Sequence, residues 1–248
     1  MNKGSRRWPE TLPQQDLLPK LMDKYLLNLF RSFFWDLGKT SQDELTLASI
    51  NANMDKQPLI RFIKSNILHL TPQEATIDHI ASAFEMLRLE KGEFLVKQGK
   101  VGGYFIMLEG YLRAYTFTEK GDEVTTYFYP PNRVIFEAAS FFGGNPSAEN
   151  IQAITPCKGY HTSFEKLNEM FHAWPEFREF GRTVLVKEFV AYKQRMLSMI
   201  NKSAEERYTE LIRNSQDLFL YAQLKHIASF LGMTDTSLSR IRREFARK

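Results

Sequence analysis

The sequence predicts an α+β chain: a small antiparallel β-roll or barrel, then one long helix, then a C-terminal helix-turn-helix. Three observations carry this. Nine of the 13 glycines fall between Gly92 and Gly159, where they separate short runs rich in β-branched and aromatic residues. Between Pro175 and Lys202 there is no proline and the single glycine Gly181, so little interrupts a helix. Between Leu224 and Phe245 two short periodic segments flank Gly232, as two helices joined by a tight turn require.

Taken in order, residues 1–53 open with a basic, proline-containing stretch, continue in an aromatic run (25–35) and end polar. Lys24, Arg31 and Asp36 make the run too short to span a bilayer, and it reads as an amphipathic helix docking on the protein or a partner. Met54 precedes the next structured segment, so residues 1–53 are either a real extension or follow a misassigned start. Residues 54–90 read as helical, with Leu59, Ile60, Ile63, Ile67 and Leu68 at helical spacing and Thr71-Pro72 as N-cap and first position of a second helix. From Lys91 to His161 the runs 104–108, 111–117 and 124–129 read as strands, with a hairpin turn at Glu119-Lys-Gly-Asp122. Residues 54–174 are thus expected to form a β-roll sensor domain.

Residues 175–201 are expected to be a dimerisation helix. Leu185, Phe189, Tyr192, Met196 and Met199 are spaced 4, 3, 4, 3, a seam that can pair with its copy in a second chain. Val186, Val190, Leu197 and Ile200 are expected to pack a second face on the chain's own β-roll.

Residues 202–248 begin with the capping box Ser203-Ala-Glu-Glu206. A short helix from Leu224 ends at Gly232, and Thr234 supplies the hydroxyl cap of a last helix reaching about Phe245. Small Ala228 lets the two helices cross closely, with Ile227, Leu231, Leu238 and Ile241 filling the angle between them. At helical spacing Leu238, Ile241 and Phe245 share one side. Thr234, Asp235, Thr236, Ser239, Arg240, Arg243 and Arg247 are the candidate contacts to double-stranded DNA, since arginine can grip guanine bidentately and hydroxyls reach bases or phosphates. The terminal 25 residues hold six basic and two acidic side chains, +4, which equals the net charge of the whole chain.

Composition excludes other classes. A 43% hydrophobic, 25% charged chain of 248 residues can build one or two cores, carries no apolar run of bilayer length and opens with no secretory pattern, so a cytoplasmic protein without a membrane partner is expected. Cys157 stands alone, which removes internal disulfides and the four thiolates that usually hold an iron–sulfur cluster. The five histidines show no metal-ligand spacing, and only His161 lies in the β region, against the histidine set of a cupin-type enzyme. No metal, cofactor or catalytic residue is expected. The alternative to DNA binding is a sensing or scaffolding module that takes a small ligand or protein through the β-roll.

Residues of about 57–248 resemble the cyclic-AMP receptor protein and fumarate–nitrate regulator (Crp/Fnr) superfamily of bacterial transcription factors. The segments that carry the resemblance are Lys91-Gly-Glu-Phe-Leu-Val-Lys-Gln-Gly99, Tyr104-Phe-Ile-Met-Leu-Glu-Gly110, Ser203-Ala-Glu-Glu-Arg-Tyr208 and Ile227-Ala-Ser-Phe-Leu-Gly-Met-Thr-Asp-Thr-Ser-Leu-Ser-Arg-Ile241. It implies a cyclic-nucleotide-binding-type β-roll, a homodimer, a winged helix-turn-helix, and DNA and RNA polymerase as partners. The base-contacting positions fall on Asp235, Thr236 and Arg240, with Ser239 and Arg243 alongside. Many relatives carry glutamate at the position of Thr236, so their target sequence does not transfer. The effector pocket falls on Glu137, Ser147 and Ala148. The arginine that clamps the cyclic phosphate in relatives is absent, and no basic residue occurs from Glu137 to Ala153. An unpaired buried phosphate costs several kcal/mol, comparable to a micromolar affinity, so cyclic AMP is not the expected effector and none is assigned.

Overall fold

A computed structural model of the chain describes residues 56–245; the readings made on residues 1–53, Arg247 and Lys248 lie outside them. Two short helices lead in. α1 (Gln57–Ser65) carries a proline in its first turn and buries Leu59, Ile60 and Ile63. α2 (Glu74–Ser82) starts two residues later than Thr71-Pro72 predicts, with Gln73 as its N-cap. The start follows Glu74, whose carboxylate complements the helix N-terminus and takes the Lys64 ammonium of α1 at 2.6 Å.

A second correction concerns the end of the stretch read as helical, because Glu85–Leu89 is strand β1. Met86 packs toward the helices while Leu87 and Leu89 face the roll interior, a period of two that a five-residue run hides inside a helical context. Its ladder is supplied by a distant partner, Cys157–Thr162. The remaining strands are β2 (Phe94–Val96), β3 (Tyr104–Glu109), β4 (Leu112–Phe117), β5 (Glu123–Tyr129), β6 (Arg133–Ile135), β7 (Asn150–Ala153) and β8 (Cys157–Thr162), with the short helix α3 (Ala138–Phe141) between β6 and β7. The β4–β5 turn is the hairpin expected at 119–122, closed by Gly121 donating to the Thr118 carbonyl, with Gly121 at positive φ.

Two antiparallel four-stranded sheets result, ordered β1-β8-β3-β6 and β2-β7-β4-β5. Leu95, Phe105, Met107, Leu112, Ile135 and Ile151 fill the space between them. β3 is buried on both faces: Phe105 and Met107 point into the roll, while Tyr104 and Ile106 point out against α1, α2 and two helices that follow the roll. Those are α4 (Phe164–Ala173), capped by Ser163, and α5 (Pro175–Asn201). A Cβ at Gly181 would collide with the Phe171 ring, so glycine there lets α4 lie close on α5 while Phe177 and Phe180 are fully buried.

The second half of α5 departs from expectation. Val186, Val190, Leu197 and Ile200 do not pack on the β-roll: all are exposed, Ile200 by 69%. The face turned to the roll carries polar and aromatic groups instead. Glu188 takes Arg133 at 3.0 Å and the Tyr192 ring lies 5.2 Å from that of Tyr127. Arg195 and Met199 continue this face, the latter's methyl lying against Gly232. Aromatic and charged side chains thus take the packing role assigned to aliphatic ones. At about 100° per residue, Val186, Phe189, Val190, Met196, Leu197 and Ile200 form an exposed apolar arc of about 120°.

The chain closes with α6 (Ala204–Asn214), α7 (Leu218–Tyr221), α8 (Leu224–Phe230) and α9 (Asp235–Phe245). The capping box is present, with Ser203 Oγ accepting from the Glu206 amide and the Glu206 carboxylate accepting from that of Ser203. Among the described residues no strand follows β8, so the wing implied by resemblance does not occur there. α7 is a single turn anchored by buried Leu218.

Candidate nucleic-acid interface

The turn before α9 sets how it leaves α8. The Gly232 amide donates to the Ser229 carbonyl at 3.0 Å and that of Met233 to the Ala228 carbonyl at 3.0 Å, with Gly232 at φ +63°. A side chain there would be strained and would strike the Met199 methyl. Thr234 Oγ1 then accepts from the Ser237 amide at 3.2 Å, starting α9 where the sequence predicts. Ile227, Ala228, Leu231, Leu238 and Ile241 are buried between the two helices, and Phe245 meets Tyr208 edge-on at 5.5 Å.

The opposite edge of α9 is open. Thr234, Asp235, Thr236, Ser239, Arg240 and Arg243 are all exposed and share one surface, while Arg247 lies outside the described residues. Thr234 donates its hydroxyl proton to Ser237 Oγ at 3.0 Å, so its 3.0 Å contact with Thr236 draws on the Thr236 proton. Thr236 is left as an acceptor.

The β-roll holds this unit directly. The Thr125 amide of β5 donates to Ser229 Oγ at 2.9 Å, Phe128 meets Phe230 at 5.1 Å, and Tyr111 meets Tyr221 at 5.2 Å. Arg113, 2% exposed, donates to Glu123 at 2.6 Å and lies 4.2 Å over the Tyr115 ring. Glu123 also faces His226 Nε2 of α8 at 3.2 Å. Burial, reinforced by the Arg113 guanidinium, pushes His226 down to about 4 against the pull of Glu123. Sequence reading missed Arg113, Glu123 and Ser229, because their pairing spans 104 residues in one case and leaves no local pattern.

The residues matched to an effector pocket are engaged elsewhere. Glu137 caps α3, accepting from the amides of Ala139 at 3.1 Å and Ser140 at 2.7 Å. Ser147 is buried, its hydroxyl donating to the Glu149 carbonyl at 2.8 Å, and Ala148 is exposed. Burial raises the pKa of Glu149, with Thr126 opposing and Glu137 adding to the rise. Burial also pushes the Cys157 thiol up to about 11, which leaves it unreactive near neutrality.

Of the seam residues, Leu185 is half-buried, Phe189 and Met196 are exposed by 68% and 53%, and Tyr192 and Met199 turn partly toward their own chain.

Residues 86–173 match the family model of the cyclic nucleotide-binding domain. The transcriptional activator protein Anr of Pseudomonas aeruginosa is 26% identical over 187 residues, covering 68% of this chain and 75% of that protein. Among solved structures, FixK2 from Bradyrhizobium japonicum superposes with a TM-score of 0.56 at 19% identity, covering 66% of this chain and 85% of that one. A protein from Eubacterium rectale assigned to the Crp/Fnr family superposes with a TM-score of 0.57 at 16% identity, covering 71% and 84%.

Proposed function

We infer that this chain, a transcription regulator of the Crp/Fnr superfamily, reads DNA as a homodimer by laying the exposed edge of α9 in the major groove. The observation that carries this is the edge itself: Asp235, Thr236, Ser239, Arg240 and Arg243 stand exposed on a helix, capped by Thr234, whose other side is locked into a helix-turn-helix core. Arg240 has the reach for guanine, Asp235 and Thr236 offer acceptors to cytosine or adenine amino groups, and the remaining hydroxyls and cations suit phosphates.

Dimerisation is assigned to α5. The arc from Val186 to Ile200 is apolar and exposed, and a second copy of the helix would cover it. Phe189 and Met196 belong to this surface, whereas Tyr192 and Met199 serve the contact with their own chain. The dimer seam is thereby turned about 80° round the helix from the 185–199 spacing. RNA polymerase is the further partner proposed for the DNA-bound dimer. Cyclic AMP is not proposed as effector, because Glu137 and Ser147 are committed to the backbone and the stretch from Glu137 to Ala153 holds no basic side chain to take a phosphate.

A mobility-shift titration on the chain's own upstream DNA, against a scrambled duplex of equal length, tests the proposal. A discrete complex on the native duplex at concentrations that leave the scrambled one free is expected. Equal binding to both would contradict it.

A further inference from the structure

We propose that Arg195 is a positioning residue for DNA recognition, fixing the angle between the helix that carries the dimer seam and the helix that reads DNA. The inference rests on the DNA-reading homodimer described above.

Arg195 sits on the roll-facing side of α5, 35 residues before the group it binds. Its guanidinium lies 3.7 Å over the centre of the Phe230 ring and donates to the Phe230 carbonyl at 2.9 Å. Phe230 is the last residue of α8, where helix carbonyls lack intrahelical partners and the helix dipole presents negative charge. The same end is gripped by other elements. Arg207 of α6 donates to the Leu231 carbonyl at 2.9 Å and to that of Lys202 at 2.6 Å, tying the α8–α9 turn to the end of α5. Thr125 and Phe128 of β5 hold Ser229 and Phe230 from the roll. Residues 229–232 are therefore the point where the long helix, the β-roll and the DNA-reading unit meet. From the seam-bearing helix, Arg195 supplies the hydrogen bond and ring stack to that point, beside the Met199 methyl against Gly232.

Its geometry matters because errors are amplified across a dimer. Reading helices on half-sites one turn apart lie about 17 Å from the two-fold axis, so a tilt of about 10° displaces each by about 3 Å, close to one base-pair rise. Stacking and donation together restrain both the distance and the plane of the contact. A lysine ammonium supplies charge without the plane.

The test begins by selecting duplexes from a random-sequence pool with the wild-type protein. Affinities of wild type, Arg195→Ala and Arg195→Lys are then measured on the selected inverted repeat and on versions with one base pair added or removed between half-sites. Thermal midpoints and sedimentation are followed in parallel. Arg195→Ala is expected to bind the parent repeat about tenfold more weakly, as for loss of one charge-assisted hydrogen bond, and to lose discrimination between spacings by a similar factor. Arg195→Lys is expected to recover the thermal midpoint but not the spacing discrimination. Should the alanine variant fail to fold, the lysine variant carries the same comparison. Unchanged affinities, or a loss shared equally by all spacings, would overturn the role of Arg195. A wild type that selects no inverted repeat would instead overturn the dimeric reading, and this inference with it.

Discussion

Arg240 stands exposed in the second turn of α9, beyond the Thr234 cap and opposite buried Leu238 and Ile241. Replacing it with alanine should cost about 1–3 kcal/mol on the cognate site and relax preference at one base pair per half-site, read by competition among singly substituted duplexes. Arg243, two positions from the end of α9, is better placed for phosphate; its alanine variant should weaken all sequences alike and flatten the salt dependence. A second residue-scale prediction concerns His226, which faces Glu123, Arg113, Lys225 and Asp235. The unfolded chain protonates this histidine near the ordinary value of about 6.5, the folded chain only near 4. Between those values the unfolded state binds more protons, so stability falls as the solution is acidified. His226→Gln should show a shallower fall in thermal midpoint between pH 6.5 and 4, and identical slopes in both proteins would contradict the assignment. These two sites were unequally legible. The Thr234 cap, Ala228 at the crossing and the outward side of α9 follow from local spacing, whereas nothing near His226 announces a glutamate and an arginine from another domain.

At the scale of elements, α5 was legible as a helix but not in its orientation. Its apolar residues cover too much of the circumference for spacing to choose a seam, and the choice is made by Tyr192 meeting Tyr127 and by Glu188 meeting Arg133. Phe189→Asp places a charge on the exposed arc and should yield monomers by sedimentation without a large loss of folding stability, since Phe189 touches little of its own chain. Tyr192→Asp should instead destabilise the fold. A Phe189→Asp protein that remains dimeric would move the interface off this arc. The strands from Tyr104 to Tyr129 were legible because runs of β-branched and aromatic residues punctuated by glycine are local signals. β1 was not, because its partner β8 lies some 70 residues away.

For the whole molecule, the residues that resemblance matches to an effector pocket serve the backbone of the β-roll. Glu137 caps a helix and Ser147 closes a turn. Calorimetric titration with cyclic AMP should show no binding at micromolar concentrations, and a dissociation constant of micromolar or below would require a cation not visible in this site. What the roll retains is its grip on the DNA-reading unit through β5 and α8, so seam, roll and reading edge are parts of one packed assembly. In the proposed homodimer, two chains related by a two-fold axis would present two copies of α9 to the same side of a duplex. The most direct measurement is the stoichiometry and symmetry of the complex formed on a wild-type-selected duplex, by sedimentation together with footprinting. Two chains per duplex, protecting an inverted repeat whose half-sites lie about one helical turn apart, is the predicted result. One chain per duplex, or protection without an inverted repeat, would contradict the account.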